Sequence, residues 1–306
     1  MDIVFLRTKL QAKIVLKMID EGHINKFFLV KSFWHNKDED SINVYKYYQE
    51  VSKYAARDFS FIEKNGLLRN SLFLYFLSIF AVLTKGSFYF AGINYYGFAI
   101  TKKLNPFLKI NTIDDGAANI RKSTIYYEQK PLEDNGSFKR RLLNYLFPQG
   151  SSFFLRRNIN QHFSIYKDYE NIVHPKKIKY INLEWNLKKS DIKILQNLAS
   201  PNLKLLLGSV ANEHKADIVR YLESEYNNFF DLIILHPRDK SSLATWSNAH
   251  YFESSAEEIL FYIIEKKFIN RCYIYHFGSS TLDIIKDKKI TSINLLNAAA
   301  EFMKKH

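Results

Sequence analysis

The stretch LIILHPRDK, residues 232–240, decides how the chain is read. Leu232, Ile233, Ile234 and Leu235 form a short apolar run, the pattern of a strand buried on both faces inside a parallel sheet. Pro237 ends it. Proline offers no N–H to a neighbouring strand and confines the residue before it to extended conformations, so His236 is held at the strand's carboxyl edge. Open α/β sheets place their ligands at that edge. A strand-ending turn with a surface histidine is the commoner explanation of an isolated His-Pro, and the other strand ends have to decide.

Working outward, strand and helix alternate, which predicts a doubly wound α/β architecture. Strands are expected at 2–6, 27–30, 87–93 and 108–113, with helices at 10–19, 44–56, 71–83 and 95–103. From 128 to 177 turn residues and basic pairs replace the alternation, with one helix expected at 138–146. It resumes with strands at 178–183, 204–207, 231–235, 272–277 and 290–293 and helices near 190–198, 212–224 and 256–267. The expected division is residues 1–150, a crossover 151–177, and residues 178–306, with a cleft between two sheets.

The chain has 306 residues, enough for two domains of about 150. With 44 Lys plus Arg against 31 Asp plus Glu, its charge of +13 attracts polyanions: nucleic acid, an anionic membrane or a phosphorylated substrate. The basic residues come in scattered pairs, and no nucleic-acid motif is present. Cys272, the only cysteine, lies in an apolar run and reads as a core residue; no disulfide can form within the chain, as suits a reducing compartment. The most apolar segment, SLFLYFLSIFAVL at 71–83, is about five residues short of a membrane-spanning helix and reads as a buried one. No signal peptide opens the chain. A cytoplasmic protein follows, with basic patches and the amphipathic tail INLLNAAAEFMKKH available for peripheral contact with an anionic membrane.

Polar residues collect at strand ends. The strand ending at Ile113 runs into Asp114-Asp115-Gly116, where paired carboxylates repel and one is expected to serve as a general base with a raised pKa. LKLLLGS ends at Gly208-Ser209, with Asn212 and Glu213 beyond, and YIYHFGSST ends at Gly278-Ser279-Ser280. Small residues and hydroxyls opening onto a helix can cradle a phosphate, although serine N-caps read the same way. Glu257-Glu258 opens a helix, where a carboxylate can grip a ribose hydroxyl or simply favour the dipole. His174-Pro175 follows no long apolar strand and is set aside. No His, Cys or carboxylate cluster has metal-ligand spacing, and no P-loop lysine or GxGxxG follows a strand.

In their order, Asp-Asp-Gly, Gly-Ser, His-Pro and Ser-Ser resemble the bacterial sialyltransferases, most closely the lipooligosaccharide sialyltransferases of glycosyltransferase family 52. FLRTKLQAKIVLKMI, TIDDGAANIRKSTIYYE, LRRNINQHFSIYKDYENI, LLLGS, LHPRDK and IYHFGSSTL carry the likeness over nearly the whole chain. It implies a GT-B arrangement of two Rossmann-like domains, 1–150 on the acceptor side and 178–306 on the CMP-sugar donor side. It also implies an inverting transfer of sialic acid from CMP-sialic acid to a terminal galactose of a lipooligosaccharide or capsule-type glycan. No metal and no cofactor are expected.

By position, the resemblance makes His236 the acid or charge-stabilising group at the leaving phosphate, next to Pro237 on the donor side with Gly208 and Ser209. Ser279 and Ser280, after Gly278, would hold phosphate and donor carboxylate, and Glu257 the cytidine ribose. Relatives often carry an aspartate two residues past the Gly-Ser turn as general base, where this chain has Ala211. The base is therefore sought among Asp115, Asp114 and Glu213. A homodimer is compatible with this reading. Rival readings are transfer from another CMP-nonulosonic acid or a UDP-hexose, a basic nucleic-acid-binding module, and a non-catalytic scaffold.

Overall fold

Apolar runs bounded by turn residues become parallel strands throughout the computed structural model. It describes residues 1–33, 47–62, 66–120, 122, 124–133, 136–167, 169–184, 187–198, 200–208, 215–235, 242–252, 254–265, 269–283 and 287–305. They divide into two units, Met1–Leu183 and Glu184–His306.

In the first unit the strands are β1 (Asp2–Leu6), β2 (Phe27–Phe33), β3 (Arg57–Ile62), β4 (Ser87–Phe90), β5 (Lys109–Ile113), β6 (Ile159–Ser164) and β7 (Ile178–Tyr180). They lie in the order β3-β2-β1-β4-β5-β6-β7, every pair parallel. Parallel neighbours cannot be joined by a tight turn, so helices fill the crossovers. These are α1 (Lys9–Asp20), a helix α2 over 47–52, α3 (Leu67–Leu83), α4 (Tyr96–Leu104), α5 (Phe138–Leu146) and α6 (Gly150–Asn158). The chain reverses direction across the sheet between β1 and β4. Their carboxyl ends therefore flank this sheet's switch point. Ile3, Val4, Phe5 and Leu6 of β1 are all buried, as expected of a central strand with both faces covered.

The second unit holds β8 (Asn202–Leu207), β9 (Leu232–Ile234), β10 (Ala249–His250), β11 (Arg271–His276) and β12 (Ile290–Asn294), parallel in the order β10-β9-β8-β11-β12. Its helices are α7 (Lys189–Gln196), α8 (Lys215–Glu225), α9 (Ala256–Glu265) and α10 (Leu296–Lys305). Here the reversal falls between β8 and β11. Leu205, Leu207, Leu232 and Ile234 enter one apolar cluster, while Leu206, Ile233 and Leu235 enter another. Each such side chain stabilises the unit by roughly 1.5–3 kcal/mol. Cys272 is buried beside Ile274, and burial, with the charge of Asp231, pushes its thiol up to about 12, which makes it inert.

Several expectations move. The boundary lies at Leu183, not at 150 and 177, because β6 and β7 extend the first sheet and α6 leads into β6. The segment 178–183 therefore closes the first sheet instead of opening the second. β3 and the short β10 were not expected, nor was β6, whose sequence INQHFS lacks an apolar run. α3 is not a buried helix: Leu68, Phe76 and Leu83 are 77, 67 and 77 % exposed. The tail is committed to the second unit, where Ala299 is buried and Phe302 packs 5.5 Å from Tyr221.

The turn at Pro148-Gln149-Gly150 can be tested. Gly150 has φ +81, and an added Cβ would lie 2.7 Å from the Lys130 carbonyl oxygen, whereas Gly136, at φ +79, has nothing within 4 Å. Both prefer glycine for their backbone, but only one adds a backbone clash. Gly150→Ala is expected to lower stability by about 1–3 kcal/mol more than Gly136→Ala, read as urea midpoints. Equal midpoints would show that the Lys130 contact is not tight.

Candidate active site

β5 delivers Asp114 and Asp115 at its carboxyl end, and Gly116, at φ +55, makes the turn that follows. The two carboxylates have separate partners. Asp114 and His162 are each 0 % exposed, with Asp114 Oδ1 3.0 Å from His162 Nε2. Asp114 Oδ2 accepts the Ile165 N–H at 2.7 Å, and Thr112 Oγ1 lies 2.9 Å from His162 Nδ1. A histidine protonated on Nε2 satisfies both contacts, donating to the carboxylate and accepting from the threonine hydroxyl. This chain fastens β5 to β6, where Thr112 and His162 are register partners. Asp114 is consequently structural. Full burial removes it from the candidates for a base.

Asp115 is only partly buried and gathers groups from separate segments. Its Oδ1 accepts from Gln11 Nε2 at 2.9 Å, its Oδ2 accepts from the Tyr126 hydroxyl, and its N–H donates to Asn119 Oδ1 at 3.2 Å. The aim of Gln11 follows from how α1 starts. Thr8 caps the helix, and Gln11 closes a capping box in which its Oε1 accepts from the N–H groups of Arg7 at 2.8 Å and Thr8 at 3.3 Å. With the oxygen committed, the amide nitrogen must point the other way, at Asp115. Gly92, just after β4, would bring a Cβ within 3.8 Å of Tyr126 Oη. Asp115 therefore sits over the carboxyl ends of β1, β4 and β5, beside the switch point.

In the second unit, β8 ends at Gly208, whose N–H donates to Ile234 O at 2.8 Å. β11 ends at His276, whose Nδ1 accepts from the N–H groups of Gly278 at 3.0 Å and Ser279 at 3.2 Å while Nε2 lies 2.9 Å from Ser292 Oγ. Those two amides, expected to face a phosphate, are thus turned inward. Ser279 Oγ accepts from Thr281 N at 3.3 Å, and Thr281 Oγ1 donates to Glu257 Oε1 at 3.0 Å. Glu258 is the neighbour that caps α9, accepting from Ser255 N at 2.6 Å. The helix start thus explains Glu258, and Glu257 is brought to the Gly278-Ser279 turn. Ser280 opens a one-turn 3-10 helix, Ser280–Asp283.

Ser209, Glu213, His236 and Pro237 lie outside the described residues. His174 caps a short 3-10 helix, its Nδ1 accepting from Lys176 N at 3.3 Å. Among the described residues no group of three or more His, Cys, Asp or Glu side chains could hold a metal ion. Sequence reasoning missed Gln11, Tyr126, His162, His276 and Thr281. The signal for Gln11 was Thr8-x-x-Gln11, a capping box, and that for His276 was its place just before the Gly278-Ser279 turn it caps; Tyr126, His162 and Thr281 are tertiary partners without a local signal.

The division between Asp114 and Asp115 predicts opposite mutational effects. His162→Ala leaves a buried carboxylate short of a partner and is expected to cost at least about 2 kcal/mol, read from urea unfolding. Asp115→Asn keeps the local shape at a partly exposed position, and its midpoint should stay near wild type. A stable His162→Ala protein would mean that Asp114 is held by other groups.

The model of glycosyltransferase family 52 matches residues 7–299. The chain is 25 % identical over 296 residues to an N-acetyllactosaminide alpha-2,3-sialyltransferase of Neisseria meningitidis serogroup A, covering 94 % of this chain and 76 % of that one. It is 25 % identical over 185 residues to a CMP-N-acetylneuraminate:beta-galactoside alpha-2,3-sialyltransferase of Pasteurella multocida, covering 58 % of this chain and 54 % of that one. Its fold is similar to that of a 2,6-sialyltransferase of Vibrionaceae Photobacterium sp. JT-ISH-224, solved with CMP and lactose. There the TM-score is 0.54 at 12 % identity, over 95 % of this chain and 71 % of that one. Two Rossmann-like units in one chain are the GT-B fold, and with a match that runs almost end to end, this chain is a glycosyltransferase and belongs to family 52.

Proposed function

We propose that the enzyme is an inverting sialyltransferase that moves sialic acid from CMP-sialic acid to a terminal galactose of a lipooligosaccharide or capsule-type glycan, without a metal ion or cofactor. Supporting this reading are the names of both relatives, which describe alpha-2,3-sialyltransferases. The observation that carries it is the gathering of polar side chains beside each sheet's switch point, Asp115 with Gln11 and Tyr126 in one unit and Glu257 with Thr281 in the other.

In this mechanism the acceptor hydroxyl oxygen bonds to the anomeric carbon of the sugar as the bond from that carbon to the CMP phosphate oxygen breaks. Asp115 takes the hydroxyl proton, and Gln11 and Tyr126 fix the carboxylate's aim so that little reorganisation is needed. The second unit takes the donor. Glu257 receives a ribose hydroxyl, the Ser279 hydroxyl faces the phosphate or donor carboxylate, and His236 stabilises the charge left on CMP. The turn's rigidity comes from His276, which holds the amides of Gly278 and Ser279.

Thermal shift distinguishes donor classes: CMP should raise the melting temperature and UDP should not. Asp115→Asn is expected to lower turnover by at least about a hundredfold while the CMP shift stays at its wild-type value. Glu213→Gln crippling turnover with Asp115→Asn active would instead make Glu213 the base.

The two His-Pro pairs give a second test. His236→Ala should abolish most transfer without altering the unfolding midpoint, and His174→Ala should be nearly silent because its ring is already used to cap a turn. Equal losses would mean that charge on CMP is stabilised elsewhere.

A further inference from the structure

α3 is apolar on both sides. Leu74 and Ala81 enter the core, with Leu67, Phe73, Leu77 and Val82 packed against it, and Asn70, Ser71 and Ser78 are buried among them. Asn70 donates to Tyr95 Oη at 2.9 Å, and Ser78 Oγ accepts from Asn105 Nδ2 at 3.0 Å. The outer face, at steps of four, four, three and four residues, presents Leu68, Leu72, Phe76, Ile79 and Leu83, all exposed. Surface helices of soluble domains keep the side away from the core polar. An exposed apolar stripe of this length marks an interaction surface.

The charge around it identifies the partner. Between Glu63 and Asp114 the sequence carries Lys64, Arg69, Lys85, Lys102, Lys103 and Lys109 and no Asp or Glu. This segment forms α3, β4, α4 and β5, and α4 packs beside α3. At the carboxyl end of α4, Leu104 and Phe107 add exposed apolar surface next to Lys103. A two-fold contact between copies through this face would set Arg69, Lys85 and the neighbouring lysines of one copy against those of the other. An anionic lipid surface neutralises the same charges. α3 has 17 residues, and no helix among the described residues is long and apolar enough to cross a membrane. Its exposed stripe can therefore meet a bilayer only along the membrane surface.

We propose that the outer face of α3 docks the enzyme on an anionic bilayer, its apolar stripe entering the acyl boundary and Arg69 and Lys85 meeting lipid phosphates at its two ends. This inference is independent of sialyl transfer, and its test uses no substrate. The full chain is sedimented with vesicles of phosphatidylglycerol and phosphatidylcholine in equal parts, and with phosphatidylcholine alone. Wild type should bind the first and not the second. Leu72→Glu/Phe76→Glu should weaken binding by at least about tenfold with the unfolding midpoint unchanged or raised, since both side chains are exposed. Should that variant fail to fold, Arg69→Glu/Lys85→Glu tests the charge alone and should also release the protein. The proposal is overturned if wild type ignores the anionic vesicles or a folded variant binds them equally well. It is likewise overturned if the apolar substitutions only change the mass of the protein in solution, which would make the stripe a contact between copies.

Discussion

Parallel pairing constrains everything else in this molecule. When all strands of a sheet run the same way, their carboxyl ends open on one rim, and the crossover helices leave a crevice only where the chain reverses direction across the sheet. That geometry lets Gln11 and Asp115, 104 positions apart, share a hydrogen bond: each follows a strand that points at the same rim. In the second unit the same constraint draws the ends of β8 and β11 side by side, with Gly208 on one and the Gly278-Ser279 turn on the other.

Apolar packing alone does not fix such a rim, because a strand of Leu and Ile fits its neighbours in more than one register. The buried chain Thr112–His162–Asp114 supplies what the apolar contacts lack. Sliding β6 by one residue would turn His162 to the other face and strand a carboxylate in the core. The adjacent Asp115 inherits its position from this fastening, since it is the next residue of the same backbone. Two neighbouring acids thus divide the labour: one fixes the strand end, the other is presented from it.

Most of the strands were legible: β1, β8, β9 and β11 are central apolar runs, and β5 and the edge strand β12, KINTI and ITSIN, are marked by β-branched residues. The failures share a cause. β3 alternates, as RDFSFI, and β6 carries Asn160, Gln161 and His162 in its interior, so neither has the run that the reading relied on. Losing β6 moved the domain boundary, since the segment that pairs with it was then assigned to the wrong sheet. At the site, the Asp-Asp-Gly turn was visible, but adjacency in sequence said nothing about which carboxylate was buried. Glu257 was found and its contact with Thr281 was not, because a pair 24 positions apart has no local pattern.

Gln11 joins two demands that are usually separate. Its oxygen closes the start of α1, and its nitrogen orients Asp115, so one side chain serves both folding and the site. Glutamate satisfies a capping box as well as glutamine does and adds a favourable charge at a helix start. Here it would set a second carboxylate against Asp115 and remove the donor that Gln11 points there. The substitution that a stability-guided redesign would choose at this helix start is therefore one that the site cannot accept.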